Sequence, residues 1–508
     1  MILLKFLEVQ YRACILCTAL LFCKSINAQK IDFEMGKDDL SHDYVLRNNF
    51  FAFDSSENYL NIIQVKKKII YDKFDKELNR VFSKTFNLKD IIGKEKGEFN
   101  LIHVNFIEDR IQLYFTQYKA GKGFLRLYLF GIDLEGKNVI QRHIVDEVWV
   151  KDFKDINYRI HYKREFKMNL ITYDIEKDKN DSFQWQKVKL MDSNDVVVWD
   201  KKIKMPHKDD FYHKQYIDVD KKGNFILFGY TNEKIGKKAH YATKYSVYSY
   251  APADSEGTKI DIGTPGIFMK DLFGYIDSGG TLSIVGKYGN IIEREKDVDD
   301  ELKGIVYIKY DINNQKFTSL KYNETKIEST NLRQKNMIYY FSRGKLFNDG
   351  SSIFVLEGQR VVIGNYSLLF ERGDIEILKF NAEGKLIWRQ EINKLQQQQN
   401  QDRFIGFELF FRNNKTYVLY NANSRSEKSA LFDPYSSEQK TIYLSEIAEN
   451  GFMKTRELSS TGFNIALMTN VNYEGNKDLL RLIITEPFTN IKFYETRFAK
   501  VRMKKYFD

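Results

Sequence analysis

The densest group of potential metal ligands in the sequence lies in the segment MPHKDDFYH, at residues 205–213. Two histidines, His207 and His213, flank two aspartates, Asp209 and Asp210. Neutral imidazoles combined with carboxylates suit zinc or another divalent cation. The His-x5-His spacing, however, would need a loop that folds back to bring both rings to one metal ion. We therefore interpret the segment as a polar connection and predict no metal site.

A second candidate, a calcium loop, begins at Asp218 and Asp220 and continues to Gly223. Its fifth position is Lys222, where a calcium loop needs an oxygen ligand. Its twelfth position is Gly229, where such loops carry a bidentate glutamate. A tight turn between two strands is the better interpretation, because aspartate and glycine both favour turn conformations.

A third short motif, YIDSGGTLS at residues 275–283, is similar to the Asp-box of sialidase-type propellers. Asp277, Gly279 and Thr281 fit that pattern, whereas Tyr275 and Leu282 depart from it. The resemblance implies a structural turn and no active site.

No local motif in the sequence nominates a catalytic residue. The chain has no Gly-x-Ser-x-Gly, phosphate-binding loop or dinucleotide fingerprint in the required strand–helix context. Glycoside hydrolysis needs two carboxyl groups about 5–10 Å apart, and no motif indicates such a pair. We predict neither catalytic residues nor a cofactor.

The elements that would have to position any site are β-hairpins that recur along the chain. In IEILKFNAEGKLIWRQEI, at residues 375–392, a polar turn separates two β-rich stretches. Look-alikes recur at intervals of 57 to 70 residues, with turns that begin at Asp75, Asp133, Asp192, Asp254, Asp311, Asn381 and Ala448. A second hairpin series interleaves with the first, at 53–65, 106–118, 164–175, 220–230, 277–288, 348–358 and 413–423.

Two hairpins per period make about four strands, and a four-stranded unit repeated about seven times predicts a β-propeller. We expect an all-β propeller of seven, or eight, four-stranded antiparallel blades, with a repeat of about 60 residues. A right-handed β-helix has much shorter coils, and β-sandwich domains have longer repeats. The strand-rich tail after Leu458 could form an eighth, shortened blade or join strands near residues 45–53 to close the ring. The glutamine-rich segment 392–404 is the best helix candidate, but we interpret it as an exposed loop.

Two of the repeats carry a family resemblance. IDVDKKGNFILFGYTNE, at residues 217–233, and the hairpin at 375–392 resemble secreted bacterial β-propeller proteins, similar to those of the Bacteroidota, with Asp-x-x-Gly-Asn repeats and Gly-Lys-x-x-Trp hairpins. The matching residues are Asp220, Gly223, Asn224, Gly384, Lys385 and Trp388. Trp199 takes the tryptophan position in a third repeat, whose turn ends at Asp195 in place of glycine. The resemblance implies a fold and no particular function.

The N-terminus is typical of a secretory signal. Lys5 and Arg12 precede an eleven-residue apolar run that ends at Cys23, and the small residue Ala28 precedes Gln29. We predict cleavage between Ala28 and Gln29, which leaves a single propeller domain at 29–508 after a signal peptide at 1–28. A lipoprotein signal with Cys23 as the modified residue is the weaker alternative. All three cysteines lie before the cut, so the mature chain could contain neither a disulfide nor a thiolate site.

The remaining features indicate an exported binding protein. The net charge of +10 is spread among interspersed acids, which does not favour nucleic acid. No second apolar stretch approaches the roughly 20 residues of a membrane span. Trp149, in the link between the second and third repeats, is the best candidate for an exposed ligand contact. We expect a monomer in the periplasm, at the cell surface or outside the cell.

The favoured function is non-catalytic binding of an envelope or extracellular protein or glycan. The alternative is a propeller enzyme, a hydrolase or lyase, that acts on extracellular polysaccharide. His, Asp, Glu, Arg and Tyr side chains converging at the mouth of the central channel would favour the enzyme.

Overall fold

The computed structural model describes most of the chain between residues 34 and 502. The described residues are 34–35, 49–53, 58–92, 98–107, 110–119, 123–137, 139–150, 156–163, 166–175, 183–208, 212–235, 240–252, 257–263, 267–277, 279–293, 298–325, 337–364, 367–399, 404–412, 414–423, 431–433, 440–458, 466–467, 479–486 and 495–502. The predicted signal peptide and its cleavage site at Ala28–Gln29 lie outside them.

The fold is a β-propeller, as the sequence predicts, and it has seven blades, one of the two numbers that the sequence left open. After β1 (Glu34–Met35), the first four blades follow in chain order. Blade 1 comprises β2 (Asn49–Phe53), β3 (Tyr59–Val65), β4 (Lys68–Phe74) and β5 (Arg80–Asn87), which the short helix α1 (Leu88–Ile92) follows. Blade 2 comprises β6 (Glu98–Ile107), β7 (Arg110–Lys119), β8 (Phe124–Asp133) and β9 (Val139–Trp149). Blade 3 comprises β10 (Arg159–Lys163), β11 (Met168–Ile175), β12 (Phe183–Asp192) and β13 (Val197–Lys208). Blade 4 comprises β14 (Tyr212–Val219), β15 (Phe225–Ile235), β16 (His240–Tyr250) and β17 (Thr258–Ile262).

The other three blades repeat this plan. Blade 5 comprises β18 (Ile267–Ile276), β19 (Thr281–Glu293), β20 (Val298–Asp311) and β21 (Lys316–Glu324). Blade 6 comprises β22 (Ile338–Leu346), β23 (Ser352–Ile363), β24 (Leu368–Phe380) and β25 (Leu386–Ile392), with β26 (Gln396–Gln399) paired to β24. Blade 7 comprises β27 (Phe407–Arg412), β28 (Lys415–Asn423), β29 (Lys440–Ile447) and β30 (Met453–Leu458). The first hairpin series of the sequence is the third and fourth strand of each blade, and the second series leads from the first strand to the second.

The two ends of the described chain meet in a further four-stranded sheet. It contains β31 (Ala466–Leu467), β32 (Leu479–Glu486), β33 (Glu495–Arg502) and β1. In its register, Glu34 of β1 pairs with Lys500 of β33. The expectation that the tail joins strands near residues 45–53 is wrong, because β2 belongs to blade 1 and the tail pairs with β1.

The first strand of each blade lies nearest the centre of the ring. Contacts between neighbouring blades join first strand to first strand, as between β2 and β6, β14 and β18, and β18 and β22. Because successive strands are antiparallel, the turns after first and third strands lie at one end of the ring, which we call the turn end. The connections after second and fourth strands lie at the other, the loop end. Connections after second strands range from two residues, 66–67, to sixteen, 424–439.

The turn end is built from one repeated device. The Oδ1 atom of the first turn residue accepts hydrogen bonds from the backbone N–H groups two and four positions later, at Asp75, Asp192, Asp220, Asp277 and Asn381. The fourth residue of each of these turns has a positive φ, at Leu78, Asp195, Gly223, Gly280 and Gly384. Both the calcium-like and the Asp-box-like motifs are therefore turns, as the sequence indicates.

These turns pack against the preceding blade, which explains the two tryptophans of the hairpin pattern. Trp199 Nε1 of blade 3 donates to the Gly223 carbonyl oxygen of blade 4 at 2.9 Å. Trp388 Nε1 of blade 6 donates to the Glu449 carbonyl oxygen of blade 7 at 2.9 Å. Gly384 approaches Tyr307 so closely that a Cβ would lie 2.3 Å from the ring atom Cδ1. Glycine here meets both a left-handed φ of 82° and a close contact.

The glutamine tract is a strand, and its interpretation as an exposed loop is wrong. β26 pairs with the first part of β24, and Gln396 and Gln398 are buried. Gln396 Nε2 donates to the Asn421 carbonyl oxygen, and its Oε1 accepts from Gly406 N–H. Amide side chains satisfy backbone groups between blades 6 and 7, a task that hydropathy alone does not indicate. No helix among the described residues is long and apolar enough to cross a membrane.

Candidate functional site: a polar cluster on inner strands

Polar side chains gather on the inner strands of blades 2, 3 and 4, close to their turn ends. Hydrogen bonds, an ion pair and electrostatic coupling link them from blade to blade. We call these residues the inner cluster: His103, Asn105, Arg159, His161, Lys163, Asn169, Tyr216 and Asp218.

Asn105 connects blade 2 to blade 3. Its Nδ2 donates to Asn169 Oδ1 at 2.8 Å, and its Oδ1 lies 2.7 Å from His103 Nε2. Since an amide oxygen only accepts, His103 carries its proton on Nε2 when neutral and leaves Nδ1 as the acceptor. Asn105 and Asn169 are both buried. Among the described residues, Asn169 Nδ2 has no hydrogen-bond partner, which leaves one buried donor of the cluster for a ligand or water.

A turn of blade 3 anchors this network from outside. Asn105 Nδ2 also lies 3.4 Å from Gln112 Oε1, and Gln112 Nε2 donates to Asp195. Arg110 forms an ion pair with the same carboxylate at 3.0 Å. Asp195 has a φ of 64°, at the turn position that is glycine in three of the five turns described above, at Gly223, Gly280 and Gly384. Aspartate tolerates this conformation better than most residues, and here its carboxylate holds the network.

The strand β10 presents basic side chains. Arg159, His161 and Lys163 alternate with Ile160, which is buried, so the three share one side of the strand. Arg159 and His161 are exposed, and Lys163 is half-buried. Although the His161 side chain reaches solvent, the protein packed around its ring lowers its pKa by desolvation; the charges of Lys163 and Arg159 also lower it, and Asp218 opposes them.

Asp218 ties blade 4 to this strand. Its buried carboxylate accepts from Lys163 Nζ and from the Tyr216 hydroxyl, and its Oδ1 also accepts from Val219 N–H at 2.8 Å. Burial, and then the charge of Asp218, raises the pKa of Tyr216 well above its usual value, so the hydroxyl stays protonated and donates. The one carboxylate of the cluster is thus already held by three donors.

The pKa of His103 is also lowered. Burial has the largest effect and His161 adds to it, whereas the hydrogen bond to Asn105 acts in the opposite direction. Both imidazoles are therefore neutral at pH 7. The inner cluster offers fixed amide, imidazole and hydroxyl groups beside two cations, an arrangement that can hydrogen-bond a polar ligand on rigid strands.

Of the residues that local spacing nominated, Asp218 of the calcium-like segment belongs to this cluster. His207 lies in β13 and His213 in β14, while Asp209 and Asp210 are outside the described residues. Within the described part of the chain, no group of three or more His, Cys, Asp or Glu side chains could hold a metal. Trp149 is the last residue of β9 rather than part of a link, and 74% of it is exposed. Its ring packs edge-on against Phe124 with centroids 5.8 Å apart, on the outer strands, and its role in binding stays a prediction.

Sequence reasoning missed the pair His103 and His161. They lie 58 residues apart (161 minus 103), which is one repeat, and each is on the first strand of its blade. A search for polar residues that recur at the repeat interval would have indicated them, whereas a search for close spacing could not.

Comparisons with known proteins indicate a fold and nothing more specific. No family model and no curated protein matches the chain. Prolyl endopeptidases are similar at 10% identity over 86% of this chain and 55% of theirs, with a TM-score of 0.39, so this chain spans about half their length. The β-propeller domain of the Trilobed protease from Pyrococcus furiosus is similar at 10% identity over 82% of this chain and 98% of that domain, with a TM-score of 0.36. The polysaccharide lyase Uly1 is similar at 9% identity over 79% of this chain and 89% of the lyase, with a TM-score of 0.37.

Proposed function

We propose that the protein is a non-catalytic binding propeller and that the inner cluster is its binding site. One observation carries the proposal: polar side chains of blades 2, 3 and 4 are joined across the blades, by Asn105–Asn169 and Lys163–Asp218, on strands that also present the exposed Arg159 and His161. Asn169 Nδ2 has no partner among the described residues, at a cost of about 1–3 kcal/mol of stability, although other buried groups such as the Gln186 amide share this property.

The chemistry of the cluster supports binding over glycoside hydrolysis. The cluster contains His, Asp, Arg and Tyr, four of the five residue types that the enzyme alternative requires, but a hydrolase of the usual kind needs two carboxyl groups and the inner cluster contains one. That one, Asp218, is engaged by Lys163 and Tyr216. Tyr216 cannot serve as a general base at neutral pH because its pKa is raised.

A glycan is the ligand class that fits these groups best. Amide, imidazole, guanidinium and ammonium groups on three adjacent strands can exchange hydrogen bonds with closely spaced hydroxyl groups. A partner protein would instead be expected to dock on an apolar surface patch with aromatic anchors. The inner cluster contains a single aromatic hydroxyl, that of Tyr216, and it is turned to Asp218.

We also propose that the protein acts outside the cytoplasm, at the cell envelope. The support is the sequence alone: a basic start, an apolar run and a small residue before Gln29. Mass spectrometry of the protein isolated from its own cells tests this: an N-terminus at Gln29 in the envelope or medium supports export. An uncut N-terminus in the cytoplasm contradicts it.

The test of the binding function is a glycan array probed with the purified protein and two variants. The Arg159→Ala/His161→Ala double variant removes the two exposed groups of the inner cluster. The matched control is His143→Ala, which changes a half-buried histidine of β9, on the outermost strand of blade 2. We expect a discrete set of glycans that the wild type and the control bind and the double variant loses.

Two results would contradict the proposal. An array on which the wild type binds nothing would contradict the proposal that the ligand is a glycan. Binding that the double variant retains would place the site elsewhere on the propeller. Breakdown of the bound glycan would instead support the enzyme alternative.

A further inference from the structure

The inner cluster points to a particular class of glycan, and the following rests on the proposed function. We infer that its ligand is acidic, carrying carboxylate or sulfate groups, and that His103 and His161 take up protons when it binds. Binding is then tighter at mildly acidic pH than at neutral pH.

The charge balance of the cluster carries the first step. Its described residues include two permanent cations, Arg159 and Lys163, and one carboxylate, Asp218. The formal charge is therefore two minus one, or +1, with both imidazoles neutral. Because Lys163 is paired with Asp218, the exposed Arg159 is the cation that remains for a ligand. Guanidinium groups bind carboxylates and sulfates in a two-pronged geometry.

The arrangement of the imidazoles carries the second step. The charges of Lys163, Asp218 and Arg159 all act on the pKa of His161, and His161 in turn acts on that of His103. His103 faces Asn105 on its own strand, the Tyr114 ring of β7 at 6.1 Å between centroids, and His161 of β10. Cations and burial thus surround the pair, and the one nearby carboxylate is already neutralised.

An anion placed between these groups reverses that balance. In the free protein, burial and neighbouring positive charge keep both imidazoles neutral by lowering their pKa values. A bound carboxylate or sulfate stabilises the charged imidazolium, so the pKa of each histidine rises in the complex. By linkage, protons are taken up on binding between the free and bound pKa values, and the affinity increases as pH falls through that window.

The two histidines accept the proton at different atoms. His103 already donates from Nε2 to Asn105, so its added proton goes to Nδ1, which then becomes a second donor. His161 is exposed on the same inner face and gains a donor at whichever nitrogen faces the anion. Two new charged donors then stand beside Arg159, in a site whose only carboxylate is occupied.

The experiment is a calorimetric titration of the purified protein with three probes at pH 7.5 and pH 5.5. The probes are an oligogalacturonate, a sulfated galactan fragment and a neutral galactan fragment of the same length. We expect at least one acidic probe to bind about tenfold or more tightly at pH 5.5 than at pH 7.5, since each coupled proton contributes up to about tenfold per pH unit. The neutral probe should bind weakly and equally at both pH values.

Two variants assign the effect. His161→Gln retains a hydrogen-bonding side chain but cannot become charged, so it should keep most of the affinity at pH 7.5 and lose most of the increase at pH 5.5. His143→Gln is the control, because burial and nearby cations lower the pKa of His143 as well, but it lies on the outermost strand of blade 2. It should behave like the wild type.

The outcomes separate the two proposals. If neutral and acidic probes bind alike and independently of pH, the acidic-ligand inference fails while the binding function stands. If the pH effect is undiminished in His161→Gln, His161 takes up no proton on binding and the assignment to this pair is wrong. If no probe binds at either pH and the array is blank, both proposals fail.

Discussion

Two contacts between neighbouring blades join the same kinds of strand with opposite chemistry. Between blades 2 and 3, Asn105 of the first strand meets Asn169 of the next blade's second strand through a hydrogen bond of 2.8 Å. Between blades 5 and 6, Phe273 of the first strand meets Phe354 of the next second strand, with ring centroids 6.3 Å apart and planes at 80°. The propeller thus closes one inner contact with aromatic rings and the other with amides.

The two contacts differ in whether they leave a buried polar group unpaired, and therefore in how they affect the stability of the ring. Aromatic pairs in edge-to-face geometry bury a large apolar area and leave no polar group unpaired. The amide pair buries polar groups and leaves Asn169 Nδ2 without a partner among the described residues. Phe273 and Phe354 show that an apolar contact suits this position, so packing alone does not require the amides.

The largest expected effect comes from removing the aromatic side. Phe354→Ala leaves a cavity among Phe273, Tyr307 and Phe380, all of which contact its ring. We expect a loss of about 3–5 kcal/mol in the free energy of unfolding, because Phe354 is fully buried. Urea denaturation followed by tryptophan fluorescence measures it. Unchanged stability would mean that blades 5 and 6 do not depend on this contact, while ligand binding by the folded variant should be unaffected.

We expect Glu376, on the third strand of blade 6, to make the free energy of unfolding depend on pH by a few kcal/mol or less. Burial raises the pKa of Glu376 to about 7, against the opposing effect of Arg389, which bonds its Oε1 at 2.9 Å. The folded state therefore binds this proton more tightly than the unfolded state, so stability falls as pH rises from about 4.5 to 7. Glu376→Gln should reduce the loss of stability between pH 5 and pH 8. Glu383→Gln, at an exposed turn residue of the same blade, should leave it unchanged.

A loss of about 1–3 kcal/mol is expected from a turn glycine on the aromatic side. In Gly384→Ala the new Cβ would lie 2.3 Å from Tyr307 Cδ1, which is a clash. The alanine would also have to keep the φ of 82° that glycine adopts here. Gly123→Ala is the matched control, with a φ of 65° but no neighbour closer than 3.6 Å. The control should lose only the backbone contribution, about 1 kcal/mol. Unfolding midpoints measure the stability of both variants. Equal losses of stability would show that the contact between the Gly384 turn and Tyr307 of the preceding blade does not limit which residue fits there.

The smallest change in stability is expected from the amide contact between Asn105 and Asn169. Replacing both amides, as Asn105→Leu/Asn169→Leu, removes the buried polar groups together and makes this contact apolar like its counterpart. We expect a change within about 1 kcal/mol, because both members of the buried amide pair are removed together and the half-buried His103, which loses Asn105 Oδ1, can bond water instead. The single variant Asn169→Leu should lose about 1–3 kcal/mol in the free energy of unfolding, since it removes the oxygen to which the buried Asn105 Nδ2 donates. A double variant less stable than the single one would show that the amides contribute mainly to folding.

The sequence predicts the blades far better than the site, for a physical reason. A hairpin is local, so the seven turns that begin with Asp75 and end with Ala448 indicate every third-to-fourth strand pair. The site instead joins His103 to His161 across a whole repeat, and blade stacking creates that proximity. The tract Gln396–Gln399 misled for the same reason, because its amides bond backbone groups of Asn421 and Gly406 that no local pattern brings near.

The most direct measurement of the central claim is the binding of the array-selected glycan by Asn105→Leu/Asn169→Leu. If the amide contact exists for the ligand, the double variant keeps its unfolding midpoint and loses binding by at least about tenfold, while Phe354→Ala loses stability and keeps binding. A double variant that binds the glycan as the wild type does would contradict the claim.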